Sequence, residues 1–387
     1  MEKLAIDGGE PIIKQKIPMV VPYFDEKEID SVVETIKSTW ISSNGKKGKE
    51  LEEKMCKYLG VNHTILVNNC TSALHLALMI LGIKSGNVLV PDYTFTSTGL
   101  APILVNASPK LVDVEYDTAN IEVNQIERSI DSNTKCIIPV HYAGHPCEMD
   151  SINRIANENE IFVVEDAAQA LGSEYKGRKA GTLSDIGCFS FHAVKNITCG
   201  EGGAIVTNDD KLAEKAVIMR DKGTNKAAFN IHQNTGFYDY VSEGHNFMLS
   251  EILAAVALEQ FKKIDKITEL RRKNADYMVK ELKKLNNPKI ILPTVKNYAN
   301  TNWHLFPIKF KGDVNWFSKA MNAEGITANI HYVPLHLTTL YKKYGYKEGD
   351  FPNAERVFNS MVRLPMHPGL TKEDMDNIVK AVEKVAR

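Results

Sequence analysis

Four short stretches of this sequence carry side chains able to do chemistry. In Ile161-Phe-Val-Val-Glu-Asp166-Ala-Ala-Gln169 an apolar run ends abruptly on an acidic pair. Such a run reads as a buried strand, and open α/β sheets bind ligands at the carboxyl ends of their strands. Asp166 then emerges at a crevice edge, partly desolvated, where a carboxylate can pair with a protonated ring nitrogen. Taken alone, that aspartate is more simply a helix N-cap. In Phe189-Ser-Phe-His-Ala-Val-Lys195-Asn196 a second apolar run enters a polar cluster, with Gly200-Glu-Gly-Gly203 following at once. A lysine amine in a partly desolvated pocket loses its proton more readily and can form a Schiff base. Ser190 adds a phosphate-sized donor just upstream, and the glycines allow close backbone approach. A solvated surface lysine is the default for any single Lys.

The third stretch, Asn69-Cys-Thr-Ser-Ala-Leu74, turns a strand into a helix. Free N–H groups and the positive end of the helix dipole make a phosphate cup there, and Thr71 and Ser72 add hydroxyls. It is neither a Walker loop nor GxGxxG, and a plain N-cap explains it equally well in isolation. The fourth, Pro91-Asp-Tyr-Thr-Phe-Thr96, puts aromatics at a strand end, where a ring stacked on a planar group adds about 1 kcal/mol beyond its burial. Aromatics in such places are more often simply core. Each signal is weak alone. In this order they supply a phosphate cup, a ring stacker, a pyridine-nitrogen partner and a Schiff-base lysine, the set that pyridoxal 5'-phosphate requires.

The elements that position these groups are legible from periodicity. Asp25 with Glu28 forms a capping box, and the helix after it sets Ile29, Val32, Val33 and Ile36 on one face. A second helix is expected from about Gly48 to Leu59, then a strand at His63–Val67 and a helix from Thr71 that stops at Gly82. Apolar runs at Val88–Val90, Lys135–Val140, Ile161–Val164, Gly187–Phe191 and Ala204–Thr207 read as further strands, with a helix capped by Asp150 among them. This alternation points to an α/β domain with a mainly parallel sheet. One long helix is expected from Glu251 toward Leu285, followed by strand-like runs at Trp303–Phe310 and Thr327–Val333. A last helix starts at Thr371, with Asp374 completing a near capping box. A domain boundary near Gln260 gives a large domain over 1–260 and a small one over 261–387.

Bulk composition bounds the rest. The 387 residues exceed one small core, and 43% hydrophobic with 25% charged residues is ordinary for a soluble protein. A formal net charge of -1 argues against a surface built for nucleic acid. No apolar run approaches the roughly 18 residues of a membrane span, and Met1–Glu10 lacks a signal-peptide core, so a cytoplasmic location is expected. The six cysteines show no Cys-x-x-Cys and there is no HExxH, so thiols and no metal site are expected.

With those motifs in place, the chain resembles the DegT/StrS family of sugar-nucleotide aminotransferases. The resemblance runs from the Trp40-Ile41 region to Arg363-Leu-Pro-Met-His-Pro368. Its most specific part is Glu165-Asp-Ala-Ala-Gln-Ala-Leu-Gly172, Gly181, and Phe189-Ser-Phe-His-Ala-Val-Lys-Asn196 through Gly200-Glu-Gly-Gly-Ala204. It implies the aspartate aminotransferase type fold (fold type I), with a large domain of mixed, mainly parallel sheet and a smaller C-terminal α/β domain. It also implies pyridoxal 5'-phosphate bound to Lys195, with Asp166 on the pyridine nitrogen and Gln169 near the ring hydroxyl. Phe95 stacks on the ring, and Thr71, Ser72 and Ser190 hold the phosphate. Asn246 matches a position reaching the phosphate from the neighbouring subunit, which implies a homodimer with shared active sites. His192 and His331 fall on the sugar side. Cys70 where many relatives have glycine, Met248 in place of a common arginine, and a Gly86–Pro91 run one residue short are departures from the pattern.

The resemblance implies transfer of an amino group from glutamate to a nucleotide-linked 4-keto sugar. Val140-His-Tyr-Ala-Gly-His-Pro146 looks closest to members making 4-amino-4-deoxyarabinose and related sugars. The Asp221-Lys-Gly-Thr-Asn225 stretch is instead similar to members that aminate 4-keto-6-deoxyhexoses. Asp7-Gly-Gly-Glu-Pro11 resembles some antibiotic-pathway members, which keeps a 3-keto sugar or keto-cyclitol acceptor open. A non-catalytic scaffold that only binds the cofactor is the rival of another class.

Overall fold

The computed structural model describes residues 3–225 and 239–387. Seven strands form the main sheet: β1 (His63–Val67), β2 (Asn87–Pro91), β3 (Ser108–Val112), β4 (Thr134–Ile137), β5 (Phe162–Asp166), β6 (Ile186–Ser190) and β7 (Gly203–Thr207), in the order β1-β7-β6-β5-β4-β2-β3. Only β7 runs against the rest, antiparallel to both β1 and β6. The strands are apolar on both faces because helices cover both. Leu66, Phe189, Ala204 and Val206 enter one cluster, and Ile65, Val67, Cys188 and Ile205 enter another. Continuous apolar runs are what a doubly covered sheet demands. β3 carries no such signal, because Ser108-Pro-Lys offers no apolar run, as suits an edge strand.

Four helices lie in the first part of the chain: α1 (Glu26–Lys37) and α2 (Lys46–Leu59), which pack on the Glu251–Phe261 helix, and α3 (Cys70–Ile80) and α4 (Thr96–Leu104), which pack on each other. α1 starts on the expected capping box, Asp25 with Glu28. Its apolar stripe, however, faces outward. Ile29 (56%), Val33 (42%) and Ile36 (53%) are exposed, while Glu28, Ser31 and Thr35 are buried. The buried side is satisfied by polar contacts, among them Glu28 with the Gln260 amide at 2.7 Å and with Lys263.

Three expectations are corrected. The helix over 149–158 is capped by Glu148, whose side chain accepts from Ser151 N, and Asp150 lies in its first turn. The long helix is two, Glu251–Phe261 and Ile264–Lys284, broken where Lys263 N turns back to Gln260 O. Residues 327–333 form no strand. Within them Asn329 makes an isolated backbone pairing with Arg363, which belongs to a real strand, Met361–Leu364. That strand pairs with Phe306–Phe310, and Ile290–Ile291 completes a small antiparallel sheet. Behind it a second core gathers Phe306, Ile308, Phe317, Val362, Leu364 and Ile378, with Ile17 from the N-terminal arm. The Thr371 and Asp374 capping box starts the last helix as expected. The six cysteines are free thiols, five of them buried. No helix of the described residues is long and apolar enough to cross a membrane.

Candidate active site

The sheet delivers the chemical groups to one edge. β1, β2, β5 and β6 all end there, and β7, being reversed, begins there. Asn69 follows β1 and caps α3, its side chain accepting from Ser72 N at 2.8 Å. The other first-turn N–H groups have no partner within the helix. Thr71 and Ser97 share a hydrogen bond at 2.6 Å, which ties the start of α3 to that of α4. Gly203 pairs with Val67 on one side and Ser190 on the other. A methyl group on Gly203 would stand 2.7 Å from Asn69 C and 2.8 Å from Cys70 N. Only glycine lets β7 lie against the turn that presents Thr71 and Ser72, so the cup keeps its shape. Ser190, buried, accepts from His192 N at 3.3 Å.

Asp166 ends β5 and is 5% exposed. It caps no helix. Thr98 Oγ1 donates to its Oδ2 at 2.8 Å and Ala168 N to its Oδ1 at 3.2 Å. Burial pushes its pKa up, opposed first by the Thr98 bond, then by Ala168 and Lys195. Its neighbour Glu165 points the other way. It accepts from Gly181 N at 2.7 Å, Leu183 N at 2.6 Å and His141 at 2.8 Å, which makes it the brace of the 181–184 turn. The acidic pair thus divides into one structural carboxylate and one that faces the crevice.

Lys195 lies half-buried on the loop between β6 and β7. That loop is closed at its base by Phe191 N to Gly202 O at 2.8 Å and Cys199 N to Phe191 O at 3.0 Å. Burial lowers the Lys195 pKa, with Cys70 and Asp166 opposing and Arg363 reinforcing. Burial likewise pushes the Cys70 thiol up, followed by the charge of Asp166. A lysine whose free base is made more available, beside a buried aspartate and a helix N-terminus, fits a cofactor with an aldehyde, a pyridine nitrogen and a phosphate.

Gln169 bridges two elements: Oε1 accepts from Ala143 N at 2.7 Å and Nε2 donates to Tyr332 at 3.3 Å. Phe95 precedes α4 with 54% exposure, its ring 5.9 Å from that of Tyr332. Thr71, Ser72, Phe95, Asp166, Gln169, Ser190 and Lys195 therefore all stand at one sheet edge. His331 is half-buried next to Tyr332, and burial lowers its pKa to about 4, so it is neutral. His192 turns toward Glu201, 3.6 Å away. Asn246 is exposed on a segment joined to β1 through Asn68 N and Phe247 O at 2.7 Å. No hydrogen bond joins Asn246 to the phosphate cup among the described residues.

Several members of the site carried no sequence signal. Thr98 and Ser97 sit in an ordinary Thr-Ser-Thr run. Tyr142 and Tyr332 come from distant segments to join Tyr93 of the fourth stretch, and the hydroxyls of Tyr93 and Tyr142 both donate to His331 O. Asn196 holds the buried, neutral His304 at 3.0 Å.

A fold with this sheet order and this site defines a class, the aspartate aminotransferase type of pyridoxal-phosphate enzyme. Comparison with known proteins agrees. Residues 22–383 match the model of the DegT/DnrJ/EryC1/StrS aminotransferase family. The chain is 40% identical to uncharacterized protein MJ1066 of Methanocaldococcus jannaschii, over 95% of this chain and 97% of that one. It is 33% identical to GDP-perosamine synthase of Caulobacter vibrioides, over 96% and 98%. Among solved structures, Spr1654 from Streptococcus pneumoniae in its PLP-form superposes with a TM-score of 0.88 at 29% identity, covering 96% of this chain and 98% of that one. The chain belongs to the DegT/DnrJ/EryC1/StrS aminotransferase family. It is a sugar aminotransferase of that family, and its cofactor is pyridoxal 5'-phosphate.

Proposed function

We propose that the enzyme moves an amino group from glutamate to a nucleotide-linked 4-keto sugar, giving a 4-amino sugar nucleotide. The observation that carries the reading is the convergence of Lys195, Asp166 and the α3 N-terminus on one sheet edge. The cofactor, when bound, supplies an electron sink for the carbanion left when a proton is removed. The rest is done by this chain's side chains. Asp166, its charge favoured by Thr98 and Ala168, would hold a proton at the pyridine nitrogen. Lys195 would hold the cofactor through its aldehyde and would serve the substrate carbon as base and then acid. Thr71, Ser72, Ser190 and the free N–H groups of α3 would hold the phosphate, with Phe95 against the ring and Gln169 toward its hydroxyl. His192 and His331 face the sugar.

The outward stripe of Ile29, Val33 and Ile36, with exposed Phe24, Trp40 and Ile41 nearby in sequence, supports a homodimer. In that dimer Asn246 of one subunit completes the phosphate site of the other, which accounts for its exposure in a single chain. The nucleotide-linked acceptor is supported by the likeness to a relative named for GDP-perosamine. Absorption spectroscopy of the purified protein, before and after glutamate, tests the first half-reaction. A panel of 4-keto and 3-keto sugar nucleotides and keto-cyclitols then tests the acceptor. Lys195→Ala abolishes turnover under this reading, whereas a normal rate in that variant would sink it. A visible band that glutamate leaves unchanged would favour a non-catalytic scaffold.

A further inference from the structure

Two fully buried histidines meet carboxylates, and they differ in how many protons they need. His141 accepts from Cys147 N through Nδ1 at 3.1 Å and meets Glu165 through Nε2 at 2.8 Å, so one ring proton serves it. His336 has a carboxylate at each nitrogen. Asp92 Oδ2 lies 2.6 Å from Nδ1, and Glu355 Oε1 lies 3.0 Å from Nε2. Both carboxylates also accept backbone N–H groups, Asp92 from His336 N at 2.8 Å and Glu355 from Gly349 N at 2.6 Å. Those bonds favour the charged carboxylate form. A ring with a single N–H would turn a lone pair toward one of them, so the trio takes up one proton beyond a neutral imidazole between two carboxylates. Burial alone would lower the His336 pKa, but Asp92 and then Glu355 outweigh it and raise it. Burial pushes Asp92 up, with His336 opposing. Asp113, which caps the Pro352–Phe358 helix, and the phenols of Tyr341 and Tyr346 also lie within reach of the Asp92 charge. The Phe351 ring packs 5.1 Å from the imidazole, and Lys347, Glu348 and Asp350 beside Gly349 are exposed.

The trio joins three segments that are far apart in sequence. Asp92 follows β2 and directly precedes Tyr93, while Glu355 sits on the Pro352–Phe358 helix. Leu335 N donates to Asp92 O at 2.9 Å, so residues 335 and 336 are sewn to the end of β2 through backbone and side chain alike. Upstream, His331 O accepts the hydroxyls of Tyr93 and Tyr142. The chain from 331 to 336 is therefore a strap fixed at both ends. Tyr332 hangs from it, with its hydroxyl 3.3 Å from Gln169 Nε2 and its ring 5.9 Å from that of Phe95. If the shared proton leaves, one carboxylate faces a ring lone pair in a site closed to water, and the downstream anchor weakens.

We propose that His336 is a positioning residue for amino transfer: bridged between Asp92 and Glu355, it anchors the 331–336 strap and so sets Tyr332 against Gln169 and Phe95 at the crevice. It touches no reacting atom and acts through Tyr332. The sign with pH follows from the raised pKa: the anchor is complete while the ring holds both protons and is lost as pH rises through the folded value. The inference rests on the aminotransfer reading above and adds a group that reading does not use.

The test compares wild-type, Glu355→Gln and His336→Gln holoenzymes carrying carbon-13-labelled histidine. The imidazole signal missing from His336→Gln should be that of a protonated ring near neutral pH in the wild type. It should titrate at lower pH in Glu355→Gln, where one of the two raising charges is gone. Hydrogen exchange of the 331–336 peptide should quicken in His336→Gln, and in Glu355→Gln it should quicken over the pH range in which the ring titrates. The glutamate half-reaction should slow about 10-fold over that same range. Adding His336→Gln to Tyr332→Ala should cost little more than Tyr332→Ala alone, because the two act in series. A neutral His336 ring near neutral pH in the wild type overturns the proposal. So does exchange of 331–336 that neither variant changes, and so do losses that simply multiply in the double variant. Where His336→Gln fails to fold, the signal is assigned as the one whose titration Glu355→Gln moves, and the lack of any such signal overturns the proposal. A wild type without a glutamate half-reaction fails the aminotransfer reading instead, and the ring signal with the exchange of 331–336 then decides for the strap.

Discussion

Replacing Thr98 by valine removes one hydroxyl and almost no volume, and it tests the electrostatic design of the site. Thr98 is fully buried, and its Oγ1 donates at 2.8 Å to Asp166 Oδ2. Only Ala168 N, at 3.2 Å, then remains to support the Asp166 carboxylate. A hydrogen bond to a buried charged group contributes about 2 kcal/mol, a factor of roughly 30 in the equilibrium it biases. Asp166 already has its pKa raised by burial, and losing Thr98 raises it further. The sign comes from linkage. A carboxyl whose folded pKa is raised stabilises the fold fully at low pH, and that contribution is lost as pH rises through the folded value. Thr98→Val should therefore destabilise the cofactor-free protein by about 2 kcal/mol at pH 7 and by much less in acid, where Asp166 is protonated in both proteins. In the loaded enzyme the acid limb of the glutamate half-reaction should move to higher pH. Chemical denaturation at several pH values and stopped-flow absorbance measure the two effects, with Thr98→Ser as the control that restores the donor. Equal destabilisation at every pH, together with superimposable rate profiles, would show that Thr98 only fills space.

Two further outcomes are expected elsewhere in the molecule. Changing Val33 and Ile36 of α1 together to glutamate places charges in the outward apolar stripe. If the proposed dimer forms through this stripe, light scattering should show a dimeric parent and a monomeric variant with activity lost in parallel, and a variant that stays dimeric would disprove the interface. Lys309, 4% exposed and bonded to Asp117 O at 3.0 Å, has its pKa lowered by burial to about 8. The unfolded chain binds its proton more tightly, so wild-type stability should rise relative to Lys309→Met between about pH 8 and pH 10.5, by about 3 kcal/mol. Denaturation midpoints across that range check it, and a pH-independent difference would refute it.

What the sequence disclosed depended on whether a feature was local. Capping boxes at Asp25 and Thr371 were legible because donor and acceptor lie three residues apart. Apolar strand runs were legible because both sheet faces are covered, and the groups placed at their ends came with them. The helix break at Lys262-Lys263 was not, since both halves keep helical composition. The outward turn of α1 was also hidden: periodicity gives a stripe, but not what covers it. Thr98 was invisible for a related reason. It matters through one partner, Asp166, that only the folded chain brings near. The run 327–333 shows the converse: its composition suits a strand, yet only Asn329 within it pairs with the strand Met361–Leu364.

The reversed strand β7 has a consequence for the lysine itself. A parallel crossover would carry the chain away through a helix, leaving Lys195 on a connection with one end at the crevice. Here the chain leaves β6 and returns to the adjacent β7 at the same edge, so both ends of the 191–202 loop are fixed to the sheet. In the role proposed for it, the amine is a tethered reagent whose search volume is set by its own side-chain torsions. Most of the entropy of bringing it to the reacting carbon is spent when the protein folds, and little is left to be lost in each turnover.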